Sequence, residues 1–204
     1  MASKQQEQSD SLTAGYSNYG TVYHSYGIRL EERFEKAGKD IEIIIEGLSG
    51  DRVIRMYENR LQRAIRKQVD KGKKFDYVVI LGGTNDIFNK IDPHQIFDGL
   101  KKLYDICENH GAIVLALTIM EFFYEEYLRP VEQRRNKVNE LMIRDYSTTN
   151  NKIILCDLAK ELPANSISED QRKLYWDDGV HLTVEGYDHM GDIIYESLIN
   201  QMTK

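Results

Sequence analysis

Asp178 and His181 are the pair of side chains best suited to acid–base chemistry. They stand three residues apart, just before a predicted helix that begins near Thr183. A carboxylate and an imidazole on one short loop meet at little conformational cost, and the carboxylate then fixes the imidazole tautomer and stabilises the imidazolium. An isolated Asp-x-x-His is more often a surface loop whose aspartate caps a turn, so this pair alone assigns no function.

A second candidate follows the predicted strand 77–81, where Gly82 and Gly83 precede Asn85. The two glycines allow a tight turn, and the asparagine amide can then point into a cleft as a hydrogen-bond donor for an oxyanion. An ordinary turn between a strand and a helix uses the same residue types. By itself, the segment therefore favours a turn over an oxyanion site.

Ser49 lies in the sequence Gly-Leu-Ser-Gly and invites comparison with the nucleophile elbow, Gly-x-Ser-x-Gly. The second glycine of that motif would be residue 51, which is Asp51, so we interpret Ser49 as a turn residue and Gly50 as a backbone donor. The glycine-rich motifs of dinucleotide and phosphate binding do not occur. The other histidines are dispersed and predict no metal site: His24, His94, His110 and His189.

The composition is typical of a globular protein. The chain has 204 residues, of which 41% are hydrophobic and 29% charged, and this length predicts a single domain over residues 9–204. The net charge of −6 argues against a nucleic-acid or anionic membrane surface. No apolar run reaches the ~20 residues of a membrane span. Two cysteines form no disulfide framework, and a cytoplasmic location is expected.

Alternating apolar runs and amphipathic stretches predict an α/β fold. Short runs rich in β-branched residues predict buried strands at 41–46, 77–81, 112–119 and 152–158. Spacings of three and four predict helices at 26–37, 51–71, 93–110, 130–146 and 183–202. This alternation indicates a parallel sheet covered by helices on both faces. Functional residues of such sheets lie at the carboxyl ends of the strands.

The order of the candidate blocks resembles that of the SGNH hydrolase superfamily, the GDSL esterases and lipases. The blocks stand here as Ser9-Asp10-Ser11-Leu12, Gly50, Gly83-Thr84-Asn85-Asp86 and Asp178-Gly179-Val180-His181. Together they extend over residues 9–182, nearly the whole chain. The resemblance implies a flavodoxin-like, three-layer α/β/α fold. We interpret Asp10 as holding the turn beside the nucleophile.

The resemblance also implies a catalytic role for five residues. Ser11 matches the nucleophile, His181 the general base and Asp178 the carboxylate that orients it. The backbone N–H groups of Ser11 and Gly50, together with the side-chain amide of Asn85, match the oxyanion hole. No metal or organic cofactor is required for this chemistry, and the expected partner is a small-molecule ester.

The implied function is hydrolysis of small carboxylic esters, because the chain has no lid-sized insertion of the kind that closes over long acyl chains. A bound substrate is expected near Tyr16, Asn18 and Tyr19, although the tyrosines of this region also fit packing and loop surface. Two alternatives remain open. One is a binding protein that keeps the fold and has lost catalysis, and the other is an acyltransferase that uses the same acyl-enzyme.

Two features depart from the family pattern, and both lie at the N-terminus. Ser9 takes the place of a glycine, and residues 1–8 are polar where a buried central strand should stand. We interpret this as loss or replacement of the native N-terminal segment and expect residues 1–8 to be irregular and exposed. We therefore expect a sheet of four main strands. Either Lys4–Gln8 is forced into the place of the missing central strand, or 41–46 pairs directly with 77–81.

Overall fold

The computed structural model describes residues 11–123, 128–147 and 152–202. The strands of these ranges are β1 (Tyr16–Ser17), β2 (Val22–Tyr23), β3 (Tyr77–Ile80), β4 (Ile113–Leu117) and β5 (Ile153–Cys156). The helices are α1 (Ser11–Ala14), α2 (Tyr26–Lys36), α3 (Glu58–Val69), α4 (Thr84–Phe88), α5 (Pro93–His110), α6 (Arg129–Tyr146), α7 (Leu158–Glu161), α8 (Glu169–Tyr175) and α9 (Val184–Met202). A 3₁₀ turn spans Asn18–Gly20, and a π-helical turn spans Val53–Tyr57.

The main sheet is parallel and has β4 at its centre. In the described ranges it contains three strands in the order β3, β4, β5. Tyr77 pairs with Ile113, and Val114 pairs with Ile153. β4 is buried from Val114 onward, whereas three of the four residues of β3 are only half-buried. A separate antiparallel pair joins β1 to β2 directly after α1.

Helices cover both faces of this sheet and make the three-layer α/β/α arrangement. Leu115 and Leu117 of β4 face the core formed with α2 and α9, whereas Val114 and Ala116 face the core formed with α3, α5 and α6. This two-faced burial is the reason that the strands read as continuous apolar runs. No helix in the described ranges is both long and apolar enough to cross a membrane.

The helix predictions are confirmed within a few residues, because caps mark the ends. Asp92 accepts hydrogen bonds from the N–H groups of His94 and Gln95, Pro93 begins α5, and Gly111 ends it at φ 89°. The predicted helix at 51–71 differs most. It is divided into the π-helical turn and α3, and π-turns of this kind often occur at functional sites.

The predicted strand at 41–46 is wrong. Residues 39–48 run without a turn or a bend but belong to no strand, and 41–46 does not pair with β3. The described parallel sheet consequently has three strands where four were predicted. Apolar β-branched residues form a strand only beside a partner that accepts their backbone hydrogen bonds. The predictions for residues 1–8 and for Lys4–Gln8 lie outside the described residues.

Candidate active site

Ser11 begins α1, at the edge of the molecule where the strands end. The next residue, Leu12, is fully buried and anchors the turn in the core with α2 and α9. The hydroxyl of Ser25 donates to the carbonyl of Thr13, which ties α1 to the start of α2. Ser11 itself stays half-buried, so its hydroxyl is fixed in place and still accessible.

Ser11, His181 and Asp178 form one chain of hydrogen bonds. Ser11 Oγ lies 2.6 Å from His181 Nε2. His181 Nδ1 lies 2.7 Å from Asp178 Oδ2. The serine and the histidine are 170 positions apart in the sequence, and the fold brings them together across the carboxyl edge of the sheet. The order hydroxyl, imidazole, carboxylate is the one that lets an imidazole take a proton from a hydroxyl.

The Asp178 carboxyl is held in its ionised form. Partial burial by itself raises its pKa, but hydrogen bonds from the His181 ring and from the backbone N–H groups of His181 and Val180 outweigh burial and lower the pKa to about 2. The second carboxylate oxygen accepts those two backbone bonds at 2.8 and 3.0 Å. The aspartate therefore holds both the loop and the imidazole, with one oxygen for each.

The loop that carries Asp178 and His181 is closed at its base. Trp176 and Leu182 form an antiparallel bridge, and the N–H of Asp177 donates to the carbonyl of His181 at 2.9 Å. Directly after it, the Thr183 hydroxyl accepts from the N–H of Gly186 in the first turn of α9. A short loop closed by these bonds holds the imidazole of His181 beside the carboxylate of Asp178.

The segment that carries Gly50 packs against the nucleophile turn. At Gly47 an added Cβ would lie only 2.3 Å from the backbone nitrogen of Ala14, so only glycine permits this approach. Gly50 has φ 83°, a left-handed conformation that favours glycine, and the N–H of Asp51 closes the turn onto the carbonyl of Leu48. The Gly50 loop and α1 are thus direct neighbours.

Asn85 is fixed to this same loop. Its side-chain Nδ2 donates to the backbone carbonyl of Asp51 at 3.0 Å, next to Gly50. Because Nδ2 carries two hydrogens, one remains as a donor for a bound oxygen atom. Ser11, Gly50 and Asn85 thus lie on three elements that contact one another in turn: α1, the Gly50 loop and α4.

Two buried carboxylates, those of Asp86 and Asp51, stabilise the chain that follows Gly50. Asp86, fully buried, accepts the N–H groups of Val53 and Ile54 at 2.9 and 3.2 Å. Burial raises the pKa of the Asp86 carboxyl, and those two backbone bonds oppose the rise. Asp51 pairs with Arg60 at 2.6 Å. Sequence reasoning assigned no role to Asp51, because its partner lies nine residues further along the chain, in α3.

Of the three residues expected near a substrate, Tyr16 contacts the imidazole directly. The ring of Tyr16 packs on the ring of His181, with 4.6 Å between their centres. Tyr19 is 83% exposed at the tip of the β1–β2 hairpin. The N–H of Asn18 donates to the carboxylate of Asp177 at 2.6 Å. The contact with Asp177 was missed, because that aspartate reads only as a polar neighbour of Asp178.

Three residues that the sequence analysis singled out remain: Ser49, Ser9 and Asp10. Ser49 lies in the turn before Gly50, as predicted from the absence of the second elbow glycine. Ser9 and Asp10 lie outside the described residues, so the substitution at residue 9 and the role of Asp10 stay predictions.

Comparison with protein families gives a match over most of the chain. A model of the GDSL-like lipase/acylhydrolase family matches residues 10–189. This range contains all the hydrogen-bonded residues described above. No curated protein sequence matches the chain significantly.

Comparison with solved structures gives several proteins of similar fold. A lipase/acylhydrolase from Enterococcus faecalis aligns with a TM-score of 0.67 at 19% identity, over 94% of this chain and 93% of that one. The acetyl xylan esterase AlAXEase aligns with a TM-score of 0.68 at 18% identity, over 94% and 97%. The esterase EstA from Pseudoalteromonas sp. aligns with a TM-score of 0.65 at 15% identity, over 97% of each chain. These likenesses establish a shared fold.

Proposed function

Because the chain belongs to the GDSL-like lipase/acylhydrolase family, and is thereby a carboxylic ester hydrolase, we propose that it cleaves small, short-acyl esters through an acyl-enzyme on Ser11. The observation that carries this proposal is the hydrogen-bonded chain from Ser11 Oγ through His181 to Asp178, with distances of 2.6 and 2.7 Å. A serine hydroxyl is a poor nucleophile until a neighbouring base accepts its proton.

The first half of the proposed reaction forms the acyl-enzyme. Ser11 Oγ attacks the ester carbonyl carbon while His181 Nε2 takes the hydroxyl proton. Asp178 stabilises the imidazolium that results. The carbonyl oxygen becomes an oxyanion and accepts hydrogen bonds from the N–H groups of Ser11 and Gly50 and from Asn85 Nδ2. Each such donor is worth roughly 3 kcal/mol in the transition state.

The second half releases the products. The tetrahedral intermediate collapses, the bond to the alcohol oxygen breaks, and His181 gives its proton to that leaving oxygen. Water then enters, passes a proton to His181 and attacks the acyl carbon. Collapse of the second intermediate frees the carboxylic acid and returns the proton to Ser11. Every proton that leaves one group is accepted by another, and no cofactor takes part.

Two features support a short acyl group. The chain between the site blocks contains no insertion large enough for a lid, which is the usual means of covering long acyl chains. AlAXEase, which shares the fold, is an acetyl xylan esterase by name, and an acetyl ester is the shortest common acyl substrate. We assign an acetyl or butyryl ester as the preferred class.

The experiment compares p-nitrophenyl acetate, butyrate, octanoate and laurate with wild type and with Ser11→Ala. We expect hydrolysis of the two shorter esters by wild type, a decline toward laurate, and loss of nearly all turnover in Ser11→Ala. Equal rates in wild type and Ser11→Ala would end the proposal. A maximum at laurate would keep the enzyme class and contradict the short-acyl assignment.

Covalent labelling distinguishes the two alternatives. A fluorophosphonate probe should label wild type and leave Ser11→Ala unlabelled, because it reacts with an activated serine. Well-folded wild type that is not labelled would support a binding protein. Product analysis with an added acceptor alcohol separates hydrolysis from acyl transfer: a transesterified product in excess of free acid would identify a transferase.

A further inference from the structure

We propose that Tyr16 is a positioning residue for the general base: its ring holds the imidazole of His181 in place and stabilises the positive charge that the imidazole carries in each half of the reaction. This inference rests on the proposed function, because it concerns the base of that reaction. The centres of the two rings lie 4.6 Å apart, and their planes are tilted by 44°. Contact with a bound substrate, which the sequence predicts for Tyr16, is a different role.

The contact with Tyr16 does not compete with the hydrogen bonds of the imidazole. Nε2 of His181 is bonded to Ser11 and Nδ1 to Asp178, and both bonds lie near the plane of the imidazole ring. A separation of 4.6 Å places the phenol ring over the imidazole, because rings that meet edge to edge in one plane have more distant centres. The aromatic ring therefore restrains the imidazole in a direction that the two hydrogen bonds leave open.

Tyr16 is itself held by contacts that do not involve His181. Its backbone carbonyl accepts a hydrogen bond of 2.8 Å from the hydroxyl of Tyr187, a fully buried residue of α9. Its partner across the hairpin, Tyr23, meets its ring edge-on at 5.9 Å. At Gly20 an added Cβ would lie only 2.8 Å from Cε2 of the Tyr16 ring, so glycine leaves room for the ring. The imidazole thus packs on a ring whose position is already fixed.

The first consequence concerns charge. When Nε2 of His181 takes the proton of Ser11, the imidazole becomes a cation. The face of an aromatic ring attracts a cation that lies within about 6 Å of its centre, and the imidazole lies within that distance of Tyr16. Only 18% of the His181 side chain is exposed, so water screens this attraction little. Tyr16 therefore favours the charged imidazole that forms in the transition state.

The second consequence concerns the acyl-enzyme. Once Ser11 Oγ carries the acyl group, it has no proton to donate, and Nε2 of His181 loses this hydrogen bond. The bond from Nδ1 to Asp178 remains, but a single bond allows the imidazole to swing. The Tyr16 ring then limits this movement and keeps Nε2 directed at the incoming water. Deacylation should consequently depend on Tyr16 more than acylation does.

The test is stopped-flow hydrolysis of p-nitrophenyl acetate by wild type, Tyr16→Leu and Tyr16→Phe. The burst of p-nitrophenol gives the acylation rate, and the steady phase gives the deacylation rate. Leucine keeps an apolar side chain and removes the aromatic face, so we expect deacylation to slow about tenfold and acylation about threefold. Tyr16→Phe should restore most of both rates, because the Tyr16 hydroxyl makes no hydrogen bond to any residue of the described ranges.

Tyr23→Leu is the matched control. It makes the same change on the same hairpin, and Tyr23 is 59% exposed and packs on Tyr16. We expect its two rates to stay within roughly twofold of wild type, as for most surface substitutions. Urea unfolding compares the stability of all variants, and active-site titration corrects each rate for the concentration of folded enzyme.

Four results would contradict the role of Tyr16. The first is a Tyr16→Leu variant with wild-type rates, and the second is a Tyr16→Phe variant as slow as Tyr16→Leu. The third is an equal loss in Tyr23→Leu, which would indicate a general effect on the hairpin. The fourth is a lower kcat/KM with an unchanged deacylation rate, which would make Tyr16 a substrate contact.

Failure of the proposed function gives a different result. If wild type shows no burst that Ser11→Ala abolishes, the acyl-enzyme on Ser11 is wrong, and the role of Tyr16 falls with it. A Ser11-dependent burst in wild type together with wild-type rates in Tyr16→Leu would remove only the role of Tyr16 and leave the proposed function standing.

Discussion

The backbone N–H of Asn18 donates a 2.6 Å hydrogen bond to the carboxylate of Asp177, the residue beside Asp178. This bond joins the hairpin after Ser11 to the loop that carries His181. Asn18 has φ 47°, a left-handed conformation uncommon outside glycine. An acceptor for its N–H helps to hold that conformation and, through it, the distance between the two halves of the site.

Asp177→Ala should therefore lower kcat roughly tenfold, while Asp177→Asn, which keeps an acceptor oxygen, should lose much less. The expected loss corresponds to ~1.4 kcal/mol, about one hydrogen bond to a charged group. Steady-state kinetics with p-nitrophenyl acetate measures it, and KM should change little. Identical kinetics for Asp177→Ala and wild type would show that this contact does not position the site.

The three hydrogen-bonded residues should act as a unit. Ser11→Ala and His181→Ala should each remove nearly all turnover, and combining them should cost little more than either alone. Asp178→Asn should lower kcat by ~10³–10⁴, because an amide favours the wrong imidazole tautomer. Circular dichroism establishes that each variant is folded. Strictly additive losses in the double variant would contradict the shared mechanism.

Asn85→Ala should lower kcat ~10²–10³-fold with a much smaller change in KM, since an oxyanion donor acts mainly in the transition state. The neighbouring residue provides the contrast. Asp86→Ala leaves the buried N–H groups of Val53 and Ile54 without their acceptor, so it should lower stability before it lowers the rate of folded protein.

Urea unfolding and active-site titration separate these two effects. We expect Asn85→Ala to lose only ~0.5–1.5 kcal/mol of unfolding free energy, for its bond to the Asp51 carbonyl, and Asp86→Ala to lose ~2–4 kcal/mol for two unsatisfied buried donors. Unchanged turnover in folded Asn85→Ala would remove its side chain from the oxyanion role.

The lowered pKa of Asp178 predicts a pH-dependent part of stability. Its folded-state pKa of about 2 lies below the ordinary 3.8, so the unfolded chain binds this proton more readily and stability rises with pH between those values. The contribution of the ionised Asp178 carboxylate to the free energy of unfolding is fully present above about pH 5 and is lost as pH falls toward 2. Its size should be ~1–2 kcal/mol, allowing for partial exposure of the carboxyl.

The measurement is the difference in unfolding free energy between wild type and Asp178→Asn over a series of pH values. This difference should shrink as the solution is acidified. A difference that stays constant from neutral pH down to pH 3 would show that the carboxylate is not stabilised in the folded state.

An apolar strand added to the chain before Ser9 should pair with β3, whose edge opposite β4 has no strand partner within the described residues. An apolar segment of about five residues inserted before Ser9 has the length of a typical strand. We expect it to raise solubility and esterase rate, and to raise the melting temperature by roughly 5 °C or more, as each satisfied backbone group contributes ~1–3 kcal/mol. An insertion of equal length made of glycine and serine is the control. Equal melting temperatures for the two insertions would contradict the prediction.

Local features of the sequence determined much of the fold. The predicted strands 77–81, 112–119 and 152–158 were found within a few residues, because apolar β-branched runs between turn residues are legible without knowledge of their neighbours. Helix α5 was predicted from apolar residues spaced three and four apart, and it runs from Pro93 to His110 with caps at Asp92 and Gly111. The order of the site blocks likewise pointed to the family, since residue types and their sequence order are local information.

Tertiary structure decided what depends on partners far away in the chain. Residues 41–46 are as apolar and β-branched as the other predicted strands, yet they form none, because a strand exists only through hydrogen bonds to a neighbour. The packing of Tyr16 on His181 and the bond from Asn18 to Asp177 join residues more than 150 positions apart. Such contacts arise only when the fold closes, so the types and spacing of the residues carried no sign of them.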